Sequence, residues 1–434
     1  MVAGPRFAGE LPTRQAPALR VVSAIACVLA AHPGPLPAQE CFDRIPYRAH
    51  PIAYFEETSN PVAQLQKQVD DGVESGLFPE TVRLSQLLEA LRISPSSQLL
   101  VFARNARQSG QISPATPRAI YFNDEVSVAW TPGGKNLEIS AIDPVRGPVF
   151  YLAPVSAPSV PEQGVVTDDE KGNLSQTVFR RTESCLACHV TDQTRHVPGY
   201  LLRSMFTAPD GKPESGLPLV DHTTPYDQRW GGWYVSGEQL PPRHRGNLTT
   251  RARRESFDRN ESAVVVGQDE LLQATSRHLQ QTSDIVALLV HDHQTRFQTL
   301  LTRLRYEQAF GRPLDTLPDF VRTMLLWDEP ALPTPVAGRP DYQRWFESAG
   351  PEEFRPLRRL DLKTRLLRNP LSWLVATPQF QTMPEELRQA IQAEAIRLVT
   401  IGRESPTPIT DDDRQRLLDE LLPKYNAAAQ SVDR

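Results

Sequence analysis

The spacing of apolar residues divides the chain into a mixed first part and a helical second part. Within residues 64–69 and 81–93, apolar side chains recur at every third or fourth position, as on the buried side of a helix. Residues 98–152 instead contain short apolar or alternating runs, separated by turn-forming residues, which are typical of strands. The pattern therefore predicts packed helices followed by a β-meander, which we expect to serve as scaffold.

The turns of this meander are also visible in the sequence. Asn123-Asp124, between two apolar runs, favours a hairpin with a two-residue turn. A proline- and charge-rich loop, roughly 153–175, leads out of the predicted sheet. The predicted strands are residues 99–102, 119–122, 126–130, 137–142 and 149–152.

The clearest helical pattern covers residues 283–307. Ser283 is a suitable N-cap. His293 falls on the apolar stripe, which predicts that its side chain is buried, whereas His291 falls on the more polar side, which is predicted to be the wetter one. The stripe consists of Val286, Leu289, His293, Phe297, Leu300 and Leu304.

Further helices with proline breaks are predicted towards the C-terminus. Residues 315–327 and 341–367 are helical blocks on either side of a proline-rich linker. Residues 385–401 are amphipathic, and Thr410 is placed to cap the last helix. We expect these helices to pack around the middle of the chain.

These elements define an α+β fold class, with an N-terminal β-meander and flanking helices, an irregular middle and a mainly α-helical C-terminal half. The changes in pattern place a leader at residues 1–38, a mixed α/β region at 39–160, the irregular middle at 161–260 and a helical region at 261–434. No Gly-rich phosphate loop, GxSxG or HExxH motif occurs in the sequence.

Residues 1–38 are predicted to be a secretory signal peptide. Three arginines and one acidic residue accompany an apolar run at 21–31, which is too short to span a bilayer and has the length of a signal h-region. Cleavage is expected after Ala38. A lipid anchor on Cys27 is a weaker alternative, because Ala24 is a poor lipobox residue. The mature protein is therefore expected to be periplasmic or otherwise exported.

Charge and composition narrow the choice of partners. Without the leader the chain has 44 basic and 51 acidic residues, a net charge near −7, which does not favour binding to nucleic acid or to an anionic membrane surface. No later apolar run has the length of a transmembrane helix. Forty prolines against 23 glycines indicate many fixed loops and short elements.

The strongest chemical signal is a Cys-x-x-Cys-His motif formed by Cys185, Cys188 and His189. In the attachment pattern of c-type haem, the two thiols add to the porphyrin vinyl groups and the adjacent histidine ligates the iron. A zinc site would need two more ligands, usually a second cysteine pair, and only Cys41 remains in the mature chain. A thioredoxin-like dithiol would need a βαβ pattern around the motif, and the sequence shows none there. The motif therefore predicts one covalently attached haem (heme c) in residues 161–260.

The second axial position of the iron is left open by the sequence. His293 is one candidate, because a buried helical histidine could supply a ligand, although such a residue is more often a hydrogen-bonded core side chain. Met205 and His222 are the other candidates, and the position could also be vacant. Arg203 or Arg229 could pair with a haem propionate, or could be surface arginines beside an aromatic core.

Four segments together resemble an uncharacterised family of exported bacterial proteins with a single c-type haem motif. They are residues 112–124, the motif at 185–189, and residues 221–235 and 283–295. The resemblance implies haem binding and electron transfer, without an established reaction or substrate. The arrangement differs from that of small single-domain cytochromes c, where the motif lies near the amino terminus and the methionine ligand much further downstream than Met205.

The predicted function is that of a periplasmic monohaem c-type cytochrome, which exchanges electrons with a redox partner protein or with a small-molecule donor or acceptor. One alternative is a haem enzyme of the peroxidase or oxidase type, in which His222, His244 or Arg229 assists acid–base chemistry at an open distal site. A haem sensor or assembly module is another. Electron transfer is preferred because it requires only the cofactor that the motif predicts.

Overall fold

The structure is a computed structural model, and it describes residues 44–72, 78, 81–155, 178–250, 263–265, 268–401 and 409–424. The predicted signal peptide, its cleavage site and Cys41 lie outside these residues. Among the helices that are described, none is both long and apolar enough to cross a membrane.

A six-stranded antiparallel sheet dominates the N-terminal half. Its strands lie in chain order, so that each pairs with its neighbours in sequence, and the predicted meander is confirmed. Asn123 closes one hairpin, because its side-chain oxygen accepts the backbone N–H groups of Glu125 at 3.0 Å and Val126 at 2.8 Å. The strands are β1 Leu99–Val101, β2 Arg118–Phe122, β3 Val126–Trp130, β4 Asn136–Asp143, β5 Gly147–Pro154 and β6 Arg180–Arg181.

The α-helices cover the sheet and make up most of the C-terminal half, which confirms the α+β class. The helix predicted at 385–401 has the predicted limits, whereas those predicted at 315–327 and 341–367 are shorter. The first ends at Met324, just before Leu326 turns left-handed with φ of 50°, and the second ends at Ser348, three residues before Pro351. In chain order the helices are α1 Pro61–Asp70, α2 Leu84–Ala90, α3 Leu186–His189, α4 Gln268–Ala274, α5 Ile285–Ala309, α6 Leu317–Met324, α7 Pro340–Ser348, α8 Pro378–Gln381, α9 Glu385–Ile401 and α10 Asp411–Arg416.

The two faces of the sheet are covered by different parts of the chain. One face carries Tyr121, Val128 and Ile139 and shares an apolar core with α1 and α2. On the opposite face, the ring of Phe122 lies 4.7 Å from that of His291 on α5. Strand alternation therefore directs successive side chains to two faces that different parts of the chain cover.

Helix α5 runs through the centre of the fold. Its N-cap is Asp284 rather than the predicted Ser283, because the Asp284 carboxylate accepts the N–H groups of Val286 and Ala287. His293 is fully buried, as predicted. The prediction of a more polar, wetter side is wrong: His291 is only 6% exposed. The polar side of α5 faces the sheet, where Gln294 donates to the backbone carbonyl of Asn123 at 2.7 Å.

The middle of the chain is more regular than predicted. It contains a hairpin of β7 (Leu202–Thr207) and β8 (Pro213–Val220), and a short pair of β9 (Leu248–Thr250) with β10 (Ala263–Val265). The pairing of β7 with β8 contains two register shifts. Such shifts interrupt the alternation of apolar and polar residues by which a strand is predicted from sequence.

The last helix begins with the predicted cap. Thr410 accepts the backbone N–H of Asp413 at 3.1 Å, and the Asp413 carboxylate accepts that of Thr410, also at 3.1 Å. This reciprocal capping box is completed by an ion pair of 2.8 Å between Asp413 and Arg365. The carboxylate therefore ties the start of α10 to the segment that precedes α8.

Candidate functional site

The Cys-x-x-Cys-His motif forms a single helical turn at the edge of the sheet. Strand β6 leads into it, and the backbone N–H of Thr182 still donates to the carbonyl of Phe150 on β5 at 2.9 Å. The N–H groups of Cys188 and His189 both donate to the carbonyl of Cys185, at 3.1 and 3.0 Å. Residues three and four apart on a helix share one side. The turn therefore presents both thiols and the imidazole together.

The two cysteines differ in their surroundings. Both thiols are free; Cys185 is half-buried and Cys188 is exposed. Burial raises the pKa of the Cys185 thiol, and Glu138 raises it further, whereas Arg107 and Arg118 lower it. Cys185 therefore points into the protein, and Cys188 lies at the surface.

The imidazole of His189 is oriented by a backbone group. Its Nδ1 donates to the carbonyl oxygen of Gly199 at 2.8 Å, and the N–H of Gly199 donates back to the carbonyl of His189 at 3.0 Å. Because a carbonyl only accepts, Nδ1 carries the proton, and the lone pair of the neutral ring is on Nε2. Burial lowers the pKa of His189, which favours this neutral form. Metal-ligating histidines commonly have this arrangement.

The loop between His189 and Gly199 is tied to α5. A capping box between Thr191 and Thr194 starts it, and Arg195 adopts a left-handed conformation with φ of 53°. At its end, the N–H of Tyr200 donates to the hydroxyl of Thr299 on α5 at 2.9 Å. These contacts hold the Gly199 carbonyl next to Nδ1 of the imidazole. Neither Gly199 nor Thr299 carries a sequence signal for this role, because the contact joins residues far apart in the chain.

Substitution of Gly199 by alanine is expected to destabilise the protein by about 1–3 kcal/mol, the usual cost of overpacking. A Cβ at this position would lie 2.8 Å from Cγ2 of Thr299 and 3.0 Å from Cβ of Thr194. Urea denaturation would measure the loss. Adding Thr299→Ser removes the methyl group in closest contact but keeps the hydroxyl that Tyr200 uses, so it should restore part of the stability. Equal midpoints for Gly199→Ala and the parent would contradict the tight packing.

The two histidines proposed as distal ligands, His222 and His293, lie together in the core. Their rings are 4.9 Å apart, and both are almost completely buried. Nε2 of His293 is hydrogen-bonded to the hydroxyl of Ser372 at 2.8 Å, and Trp373 packs against the same ring. Neither ring nitrogen of His222 has a hydrogen-bond partner among the described residues. Burial lowers the pKa of His222 to about 4, so it is neutral at pH 7.

The imidazole of His293 has no contact partner in common with that of His189. The described neighbours of His189 are Gly199 and Phe150, whose ring lies 4.6 Å away. Those of His293 are His222, Ser372, Phe297 and Trp373. The structure therefore brings His222 and His293 to each other and not to the motif.

Arg229, proposed as a propionate partner, is bonded within the core. It is fully buried, and its guanidinium pairs with Asp292 on α5 at 3.2 Å. Its other nitrogens donate to the backbone carbonyls of Thr224 at 2.5 Å and His222 at 2.6 Å. Trp230 also donates to Asp292, at 3.0 Å. These contacts join the segment after β8 to the central helix.

The two remaining candidates for the distal side of a haem are Met205 and His244. Met205 is half-buried on β7, where its backbone N–H donates to the carbonyl of Gly231 at 2.8 Å. His244 packs its ring 5.9 Å from that of Trp230. The structure therefore does not gather Met205, His244 and His222 around His189 through any described contact.

Comparison with known proteins leaves the site to be interpreted from its own geometry. No protein-family model, no curated protein and no solved structure matches the chain. Within the described residues, no group of three or more His, Cys, Asp or Glu side chains could hold a bare metal ion. The arrangement that stands out chemically is the turn with two free thiols and an oriented, neutral histidine.

Proposed function

We propose that the chain binds one haem c, with thioether bonds from Cys185 and Cys188 and with Nε2 of His189 as the proximal ligand. The observation that carries the proposal is the hydrogen bond from Nδ1 of His189 to the Gly199 carbonyl. It leaves the lone pair of the neutral ring on Nε2, the nitrogen that would ligate the iron. Such a bond orients the ring and makes it a stronger ligand. The cofactor would supply one-electron redox chemistry.

The function we propose is electron transfer by an exported monohaem c-type cytochrome. Exposure of Cys188 supports this, because a haem attached there would have one edge close to solvent. An open groove of about 460 Å³ adjoins the motif, lined by residues that include Tyr47, Val190 and His196. A redox partner protein or a small-molecule donor or acceptor could approach along it. The signal peptide predicted at residues 1–38 accords with haem attachment outside the cytoplasm.

A second candidate function is that of a haem enzyme or sensor with an open distal position. The observation that favours it is the engagement of His293 with Ser372, together with the core position of His222. Both histidines have places in the core that do not depend on a haem. In that case the iron would be free to bind a small molecule.

Expression in a host with the c-type haem maturation machinery tests both functions. A c-type pyridine haemochrome with one haem per chain is the expected result, and its absence would refute haem attachment. A low-spin reduced spectrum that is unchanged by carbon monoxide would support the electron carrier. A high-spin spectrum that responds to carbon monoxide or peroxide would support the enzyme or sensor.

The variant His293→Ala should leave the spin state of the attached haem unchanged, because His293 and His189 have no described contact partner in common. It should lower the free energy of unfolding by about 2–5 kcal/mol, as large-to-small substitutions in cores do. Visible spectra and urea titration of the holoprotein measure the two effects. Conversion from low-spin to high-spin would instead identify His293 as the distal ligand.

A further inference from the structure

We propose that Arg118 binds a propionate of the haem and that the Arg118–Glu138 pair helps to set its reduction potential. The inference rests on the proposed attachment of haem at Cys185 and Cys188. It assigns the propionate to a residue that the motif itself does not indicate.

The sheet places this pair on the same face as the motif. Strand register pairs Ile120 with Ala129, Ala129 with Glu138, and Glu138 with Leu152, so these residues share one face. Side chains two positions along a strand point the same way. Arg118 and Phe150 are therefore on that face as well, and the Phe150 ring contacts His189 at 4.6 Å.

The guanidinium of Arg118 is oriented but incompletely bonded. One Nη donates to Glu138 at 2.6 Å, and the second oxygen of Glu138 accepts from Gln108 at 3.1 Å. The Nε of Arg118 is buried and has no partner among the described residues. Leaving a buried donor without an acceptor costs free energy. A carboxylate that accepts from this edge of the guanidinium would remove that cost, and arginine is suited to such two-point contacts.

Arg107 and Arg118 are both connected to the motif through side-chain contacts. Arg107 donates to the hydroxyl of Ser184, next to Cys185, at 2.5 Å. Gln108, the residue after Arg107, donates to Glu138, which is the ion-pair partner of Arg118. Each of these two arginines could therefore pair with one haem propionate. Arg229 is not available for this role, since its nitrogens are bonded within the core.

Redox titration of charge variants tests the assignment, and covalent attachment keeps the haem in place in each variant. Removing a positive charge next to the haem favours the ferric state, so Arg118→Gln should lower the reduction potential. Arg118→Lys should retain most of the parent value. Glu138→Gln removes a negative charge and should raise it. The matched control is Arg397→Gln on α9, an exposed arginine paired with Glu394, which should change the potential far less.

The outcomes separate this proposal from the proposed function. Absence of attached haem in the parent protein would refute both. Attached haem with the same potential in the parent, Arg118→Gln and Glu138→Gln would refute the role of Arg118 alone. A shift in Arg118→Gln no larger than that in Arg397→Gln would also refute it, because the effect would then reflect net charge. Should Arg118→Gln fail to fold, the opposite shift expected for Glu138→Gln still decides the question.

Discussion

A protein with Cys185→Ala and Cys188→Ala should leave the haem-maturation host without any covalently attached haem. Thioether bonds to the porphyrin can form only from cysteine sulfurs at the correct separation next to the ligating histidine. The structure places both thiols on one turn with His189, and both are free. Haem staining after denaturing electrophoresis measures the loss directly, because only covalently bound haem survives that step.

Single variants and a third cysteine provide the controls. Cys185→Ala and Cys188→Ala should each leave one vinyl group unreacted and shift the haemochrome band. Cys41→Ala removes a thiol outside the motif and should retain full staining. Haem staining of the double variant at the parent level would show that attachment occurs elsewhere, and the proposed function would fall.

Replacement of Asp292 by alanine is expected to lower the free energy of unfolding by about 3–5 kcal/mol. The change would leave the guanidinium of Arg229 buried without its counter-ion, and the indole N–H of Trp230 without its acceptor. Burial raises the pKa of Asp292 to about 6 even though Arg229 lowers it, which shows how strongly this site disfavours an isolated charge. Urea or guanidinium titration at pH 7 measures the loss.

An exposed ion pair offers the matched comparison. Asp71 pairs with Lys67 at 2.7 Å on α1, and both side chains are more than half exposed. Asp71→Ala should therefore have little effect, since solvent screens such pairs. Asp292→Asn, which keeps an acceptor for Trp230 but removes the charge, should fall between the two. Equal unfolding midpoints for Asp292→Ala and the parent would show that the buried pair contributes nothing to the fold.

The elements with a regular pattern were predicted well from the sequence. The meander and the helix at 385–401 have period-2 and period-3.6 patterns that report which side is buried. The hairpin of β7 and β8 was missed, because its register shifts break the alternation. The wet side assigned to α5 was wrong, because polar residues such as Gln294 bond to carbonyls at the ends of strands and need no solvent.

Of the candidate site, only the motif itself was predicted from the sequence, and the residues that surround it were not. His293 was correctly predicted to be buried. The apolar stripe of its own helix does not indicate which residues of other elements contact its side chain. Arg229 carried a suitable charge, yet its partner Asp292 comes from a distant part of the chain. The residues that contact the motif, Gly199 and Phe150, have no chemical signature of their own. Their roles depend on the conformation of the loop between His189 and Gly199 and on the position of β5 beside the motif.

The sequence by itself determined the spacing of two thiols and an imidazole within five consecutive residues, because one helical turn brings such residues together without help from the rest of the fold. Only the tertiary structure decided which groups surround them. The Gly199 carbonyl orients His189, the Arg118–Glu138 pair lies on the adjoining sheet face, and His293 is turned towards Ser372. These contacts join residues 10, 20 and 79 positions apart. Their geometry follows from the conformation of the 189–199 loop, from strand register and from the packing of α5, none of which is local to the motif.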